Sequence, residues 1–356
     1  MSAPVITTVI VPFHRDVAML RRVLEPFRHR AATTELLVAA DGPVEHWEPV
    51  ADEFGAVRIH WPTACGPAVA RNRAASVAAG RYLLFVDGDV IAERGVVDRV
   101  ERFFDANPGA VGVFGAYDEA PEAPGFMSQY RNLQHRFVHL QGAGEARTFW
   151  AGLGAVAAGA FRAIGGYDER FRRPSVEDID LGYRLTRTGG RIVIDPGLNG
   201  KHLKRWTVRS VIVSDVRDRG VPWTQLIQRY GMSADLNLGW ALRASVVCAY
   251  VCAICLVAGV WMRWAWWVLP LPLAGLLALN APYYGYFLRL RGALFAGGAV
   301  VAHAVHHLCN GVSYVVGRAL YTAGRRFGVT TPWTLPIEPA AEQPIPRWSP
   351  DGASAP

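Results

Sequence analysis

The chain has 356 residues, of which 51% are hydrophobic and only 19% charged, with a formal net charge of +7. This length allows two or three structural units, and the apolar excess excludes a wholly soluble globular protein of ordinary composition. The positive balance favours anionic partners, either nucleotide diphosphates or an acidic membrane face; the cations are scattered and no recognition module is present, which argues against nucleic acid.

Residues 5–200 alternate strand-like and helix-like signals. Val5–Val11, Glu35–Ala40, Val57–His60, Tyr82–Asp87, Val111–Tyr117 and Arg191–Asp195 are predicted strands, with predicted helices over Asp16–His29, Pro67–Ala79 and Arg94–Asn107. This alternation predicts an α/β domain with a mostly parallel sheet. Val5–Val11 is too short for a signal peptide and runs into Phe13-His14-Arg15, so the N-terminal half is expected in the cytosol. The five cysteines show neither zinc nor disulfide spacing.

Several strands end in residues suited to chemistry, and in an open α/β sheet ligands sit outside the carboxyl ends of the strands. The first ends in Val11-Pro12-Phe13-His14 and the second in Ala40-Asp41-Gly42-Pro43. Asp41 either accepts a hydrogen bond from a nucleobase ring or simply closes a turn. Pro67 suits the first turn of a helix, which puts Arg71 one turn in, on the solvated face or within reach of a diphosphate. Tyr82–Val86 is a continuous apolar run that ends in Asp87-Gly-Asp89. Two carboxylates spaced this way suit a hard divalent cation, and the same tripeptide is also ordinary turn chemistry.

Residues 118–150 interrupt the alternation with a Pro-rich loop, a helix predicted over Phe126–Leu140 and a glycine-rich stretch expected to be mobile. Ser175–Gly189 then reads as one helix, with Ser175 and Asp178 in an N-terminal cap pattern and Gly189 as its stop. Glu177 and Asp178 fall in its first turn, where they either cap or supply a catalytic base. Lys201-His-Leu-Lys-Arg-Trp206 gathers cations, an imidazole and an aromatic ring, as a diphosphate clamp or a juxtamembrane basic patch.

Beyond Trp206 the texture changes. Val208–Val216 and Pro222–Tyr230 read as helices lying in the bilayer interface, within an interfacial region over 207–239. Trp240–Met262 would be about 34 Å long as a helix, enough to span a membrane. Trp264–Leu288, kinked at Pro270 and Pro272, is a second candidate, and Arg289 and Arg291 mark a cytosolic return. Ala293–Val316 carries His303, His306, His307 and Asn310, which are costly against lipid, so it either spans or lies in plane. The transmembrane region is expected over 240–318 and a Pro-rich disordered tail over 319–356.

Taken together and in this order, the motifs resemble those of the family 2 glycosyltransferases. The matching pieces are Val9-Ile-Val-Pro12, Asp41, Gly66 with Arg71-Asn72, Asp87-Gly-Asp89, Gly165-Gly-Tyr-Asp-Glu169, Glu177-Asp178 and Arg205-Trp206. The resemblance implies a GT-A fold over residues 1–206, with a nucleotide-binding sheet covered by helices on both faces. It implies a nucleotide-sugar donor, Mn or Mg as the cation, and transfer with inversion. It puts Asp41 on the base, Arg71 by the diphosphate, Asp87 by the ribose and Asp89 on the metal, with His202 as a further metal ligand. Pro12, Lys201, Arg205 and Trp206 join the donor side, and Asp178, beside Glu177, becomes the base that deprotonates the acceptor. Processive members carry a Gln-x-x-Arg-Trp box; His202-Leu-Lys-Arg-Trp206 departs from it, so a polymer synthase is not expected. The expectation is a multi-pass plasma-membrane enzyme with its catalytic domain in the cytosol and a lipid-linked or membrane-associated hydroxyl acceptor. A polyprenyl-phosphate acceptor and an inactive nucleotide-sugar-binding scaffold are the rival expectations.

Overall fold

The computed structural model describes residues 4–231, 239–331 and 333–335. They form two compact units: the first comprises the chain up to Pro124 and His139–Arg205, the second Gly125–Val138 and the described residues from Trp206 to 335.

The first unit is built on a nine-stranded sheet whose strands are β1 (Thr7–Phe13), β2 (Thr34–Asp41), β3 (Val57–Trp61), β4 (Tyr82–Val86), β5 (Val90–Ala92), β6 (Ala110–Tyr117), β7 (Gly144–Ala146), β8 (Leu153–Ala157) and β9 (Arg191–His202). The order is β3-β2-β1-β4-β8-β6-β9-β5, and β7 pairs with β9. From β3 to β4 every pairing is parallel, as the buried runs Thr7–Val11 and Tyr82–Val86 lead one to expect. Beyond β4 the sheet is mixed. β8 lies antiparallel between β4 and β6, while β6 and β9 are parallel to each other.

The sequence pattern did not signal β5, β7 or β8. Leu-Gly-Ala-Val-Ala is a poor strand sequence by propensity, and β8 forms because small residues are what its place allows. A Cβ on Gly154 would stand 2.7 Å from the Phe149 ring. The glycine-rich stretch expected to be mobile contributes β7, which pairs with Ile192–Ile194 of β9.

The helices of this unit are α1 (Val17–Leu24), α2 (Glu48–Glu53), α3 (Pro67–Val77), α4 (Val96–Ala106), α6 (Ala158–Ala163) and α7 (Glu177–Arg187), with α5 (Phe126–Gln141) lying mostly in the second unit. Pro67 does occupy the first turn of α3, after Gly66 at φ 95°. Such a backbone suits glycine, and a Cβ there would also stand 2.6 Å from the Arg172 carbonyl oxygen. At α7 the cap residue is Val176, which makes no side-chain capping bond. Instead, Glu177 accepts a hydrogen bond from the Ser175 amide at 2.8 Å.

In the second unit, α8 (Val208–Val213) opens on a capping box between Thr207 and Ser210 and runs through a π-helical turn, Ser214–Gly220, into α9 (Val221–Tyr230). Then come α10 (Trp240–Ala258), α11 (Ala265–Val268), α12 (Pro270–Leu279) and α13 (Ala281–Phe327). Helical backbone runs from Ala265 to Leu279 and is interrupted just before Pro270, where a kink is expected. The chain breaks at Asn280, whose amide donates to Ser245 Oγ and the Leu276 carbonyl, just before Pro282 in the first turn of α13. A second break falls at Gly292, at φ 81° and ψ 176°. Among the described residues α10 and α13 are long and apolar enough to cross a membrane, and Ala265–Leu279 is shorter.

The part of α13 beyond Gly292 runs alongside 215–228. His306 Nδ1 stands 2.6 Å from Asp215 Oδ2, Ser313 Oγ donates to the Asp215 carbonyl, and a Cβ on Gly317 would stand 2.7 Å from the Thr224 side chain. Asp215 is buried and also pairs with Arg131 at 2.8 Å, so its carboxylate has two partners. Against the cost of burial, these two partners hold its pKa well below the usual carboxylate range. Of the tail expected to be disordered over 319–356, residues 319–327 instead continue α13, whose run carries no proline there; its part from 336 onward, and 232–238 of the expected interfacial region, lie outside the described residues.

Candidate active site

Strand β4 stops where Asp87 turns off the sheet. The Asp87 amide donates to the Gly152 carbonyl and the Val90 amide to the Asp87 carbonyl, which closes the turn that aims both carboxylates at one rim. A Cβ on Gly88 would stand 2.7 Å from the Pro12 carbonyl oxygen, so only glycine lets this turn pack on the end of β1. That contact puts Pro12 beside the turn.

Asp89 sits opposite the end of β9. Its backbone carbonyl accepts from the Leu203 amide at 2.9 Å, and its Oδ2 lies 3.4 Å from His202 Nε2. Burial alone would push the Asp89 carboxyl up, but the hydrogen bond and charge of His202, with Lys204 nearby, hold it below its ordinary value. The His202 ring stacks on Tyr117, with centroids 4.3 Å apart and planes within 6°, and Trp150 meets Tyr117 edge-on. These rings fix the imidazole where it faces Asp89.

Asp87 is held differently. Arg71, only 4% exposed, donates from Nη2 to Asp87 Oδ1 at 2.6 Å and from Nη1 to Glu177 Oε1 at 3.0 Å. Burial acts against its charge, yet the two carboxylates together keep the guanidinium firmly protonated. Burial and the neighbouring Asp89 push the Asp87 carboxyl up, with Arg71 opposing. Arg71 is therefore an internal tie between β4 and α7, with its planar face over Tyr167 at 5.4 Å.

Asp178 follows at the tip of α7. Its Oδ2 accepts from the Ala151 amide at 3.3 Å and its Oδ1 from the Ile179 amide at 2.8 Å. Ala151 precedes Gly152, whose carbonyl anchors Asp87, so one short strip touches both Asp178 and the Asp87 turn. Below the tip, Asp180 pairs with Arg184 at 2.7 Å, and Arg184 donates to the Ile164 and Gly166 carbonyls. Asn72 donates to the Tyr167 carbonyl and to Glu169. The Gly165–Glu169 segment is thus the bracket that seats α7 against α3.

Asp41, at the end of β2, accepts from the amides of Cys65 and Gly66 at 2.7 and 2.8 Å. It ties down the loop that enters α3 and engages both its oxygens there. Lys201 turns to the loop after β6, pairing with Asp118 at 2.8 Å and donating to the Ala120 carbonyl. Arg205 is exposed. Trp206 belongs to the second unit, where its amide donates to Ser128 Oγ at 2.8 Å.

Two side chains at this rim were not singled out from the sequence. Tyr117 lies at the carboxyl end of β6, a position the strand-end rule would have flagged. His14 follows β1; burial and Arg15 lower its pKa, while the fields of Asp41 and Asp89 act upward on it. Asp41, Asp89 and His14 therefore share one electrostatic neighbourhood. Among the described residues no three His, Cys, Asp or Glu groups form a preassembled metal cluster.

A model of the glycosyl transferase family 2 matches residues 8–164. Over 200 residues the chain is 28% identical to the pre-mycofactocin glycosyltransferase of two Mycobacterium tuberculosis strains, CDC 1551 / Oshkosh and ATCC 25618 / H37Rv. That alignment covers 53% of this chain and 41% of the relative, so the chain spans about two-fifths of the curated relatives it matches. In fold it is similar to the mannosyltransferase PcManGT of Pyrobaculum calidifontis, solved with GDP-Man and Mn2+, at a TM-score of 0.54 and 15% identity over 91% of this chain and 90% of that one. With the strand order, the Asp87-Gly-Asp89 turn and the α7 tip in view, the chain carries a family 2 glycosyltransferase domain over residues 8–164 and has the GT-A fold.

Proposed function

We propose that this chain transfers a sugar from a nucleotide-sugar donor to a hydroxyl of a lipid-linked or membrane-associated acceptor at the cytosolic face of the plasma membrane, with inversion and with Mn or Mg as the cation. The observation that carries the reading is the Arg71 tie, which draws Asp87 and the α7 tip to one rim of the sheet. Donor and acceptor chemistry both need carboxylates there.

The residues fit a divalent cation. Asp89 offers a hard oxygen and His202 a nitrogen 3.4 Å away, and Mg²⁺ or Mn²⁺ commonly takes one or two protein ligands with the rest from substrate phosphates and water. When bound, the cation would neutralise charge developing on the departing diphosphate. Lys204 adds positive charge on the same side. Asp178, facing the rim from α7, accepts the acceptor hydroxyl's proton as the bond to the sugar forms. The Ala151 amide orients one oxygen of that base.

The apolar helices α10 and α13 support a membrane location, and with it an acceptor presented at the lipid surface. Asp178→Asn tests the acceptor class. With a hydroxyl acceptor, turnover should fall about 10²-fold or more, the usual scale for a general base. A variant retaining most of its turnover points to an acceptor already ionised, such as a polyprenyl phosphate. Wild-type protein that binds nucleotide-sugar but never transfers or hydrolyses it would leave only a binding scaffold.

A further inference from the structure

A concave site in the second unit takes no part in this chemistry. Gln228 at the end of α9 and Arg318, Tyr321, Thr322, Arg325 and Arg326 of α13 line a cavity of about 380 Å³. Every lining side chain has a hydrogen-bond donor, and among the described residues no carboxylate lines the cavity. Among the described residues, Arg318, Arg325 and Arg326 have no acidic partner; Arg318 Nη1 stands 3.4 Å from Tyr314 Oη. Arg325 and Arg326 lie in the last turn of α13, where cations also complement the helix dipole. Arg318 lies two turns earlier, so the dipole does not account for three guanidinium groups in one hollow.

We propose that this cleft binds a phosphate group, as the headgroup of an anionic lipid or as a free phosphate ester. Guanidinium forks match phosphate oxygens bidentately, and Tyr321, Thr322 and Gln228 add neutral donors. The cleft lies where α9 and α13 run side by side, so a ligand there braces both helices. The assignment is independent of the sugar-transfer reading.

The test uses the full chain in neutral detergent micelles. Calorimetry follows its titration with short-chain phosphatidic acid, with phosphatidylcholine, and with inorganic phosphate against chloride at equal ionic strength. Saturable binding of phosphatidic acid but not phosphatidylcholine is expected. Arg318→Gln/Arg325→Gln should weaken it at least about tenfold, against less than about twofold for Arg209→Gln, an exposed cation elsewhere in the same unit. Arg326→Glu, a single exposed charge reversal, should weaken it similarly. The same variant pattern seen with inorganic phosphate alone identifies a free phosphate ester as the ligand. No saturable binding of either probe, or equal losses in the cleft and Arg209 variants, overturns the proposal.

Discussion

Arg71 and Asp87 are joined by a 2.6 Å hydrogen bond, and the same guanidinium holds Glu177 at 3.0 Å, 106 residues further along the chain. The cation that a diphosphate would attract is already engaged by two carboxylates of the protein.

Removing it should be costly to the fold. Arg71→Met leaves Asp87 and the buried Glu177 without their counter-charge, and breaking a buried pair from one side costs about 3–5 kcal/mol. Urea denaturation should show that loss. A drop of less than about 1 kcal/mol would mean that the tie behaves as a surface ion pair.

Asp89→Ala should remove the hard oxygen ligand. Binding of a nucleoside diphosphate in the presence of Mn²⁺ should weaken about 10–100-fold, while binding without metal changes little, because outer and inner ligands of a metal site contribute on that scale. Calorimetry with and without chelator separates the two. Unchanged Mn²⁺-dependent binding would defeat the metal assignment.

Gly88→Ala should damage the site through the backbone alone. Its methyl group would meet the Pro12 carbonyl oxygen at 2.7 Å, and both partners are main chain or attached to it. Overpacking of this kind costs about 1–3 kcal/mol. Donor affinity should fall with stability, since the turn carrying Asp87 and Asp89 must move. Full affinity in a destabilised variant would detach this turn from binding.

Asp195 gives a pH signature. Burial raises its carboxyl, but two hydrogen bonds from Arg99 and one from the Gly197 amide outweigh that and hold it below the ordinary value. A depressed folded-state pKa stabilises the protein above the unfolded value, about 3.9, and that contribution disappears as pH falls through the lower folded value. Wild type should therefore melt above Asp195→Asn at neutral pH, with the gap closing below about pH 4. A gap that is constant down to pH 2 would show that the pair contributes through packing.

Legibility in the sequence followed the range of the forces involved. Tyr82–Val86 was readable as a strand because burial on both faces leaves an unbroken apolar run. β8 was not, since its glycine and alanines answer to Phe149 and Phe114 across the sheet rather than to local propensity. Glu177 and Asp178 were placed correctly at a helix start, yet the pattern assigned the cap to Ser175, whereas Glu177 reaches back to the Ser175 amide. Arg71 shows the limit most clearly. Its spacing from Pro67 located it one turn into α3, but nothing local distinguishes a solvated arginine from one enclosed by Asp87 and Glu177. Pro270 interrupts the helix where a kink was expected, but the break at Asn280, bonded to Ser245, depends on a distant partner that no local pattern signals.

A single enclosed guanidinium serving both Asp87 and Glu177 couples two properties that an engineer would wish to vary separately. Under the proposed roles, with α7 on the acceptor side and Asp87 on the donor side, altering α7 moves Glu177 and, through Arg71, moves Asp87. Libraries that diversify only the acceptor face will then return variants with shifted donor preference, and positions 71, 87 and 177 have to be randomised as one unit.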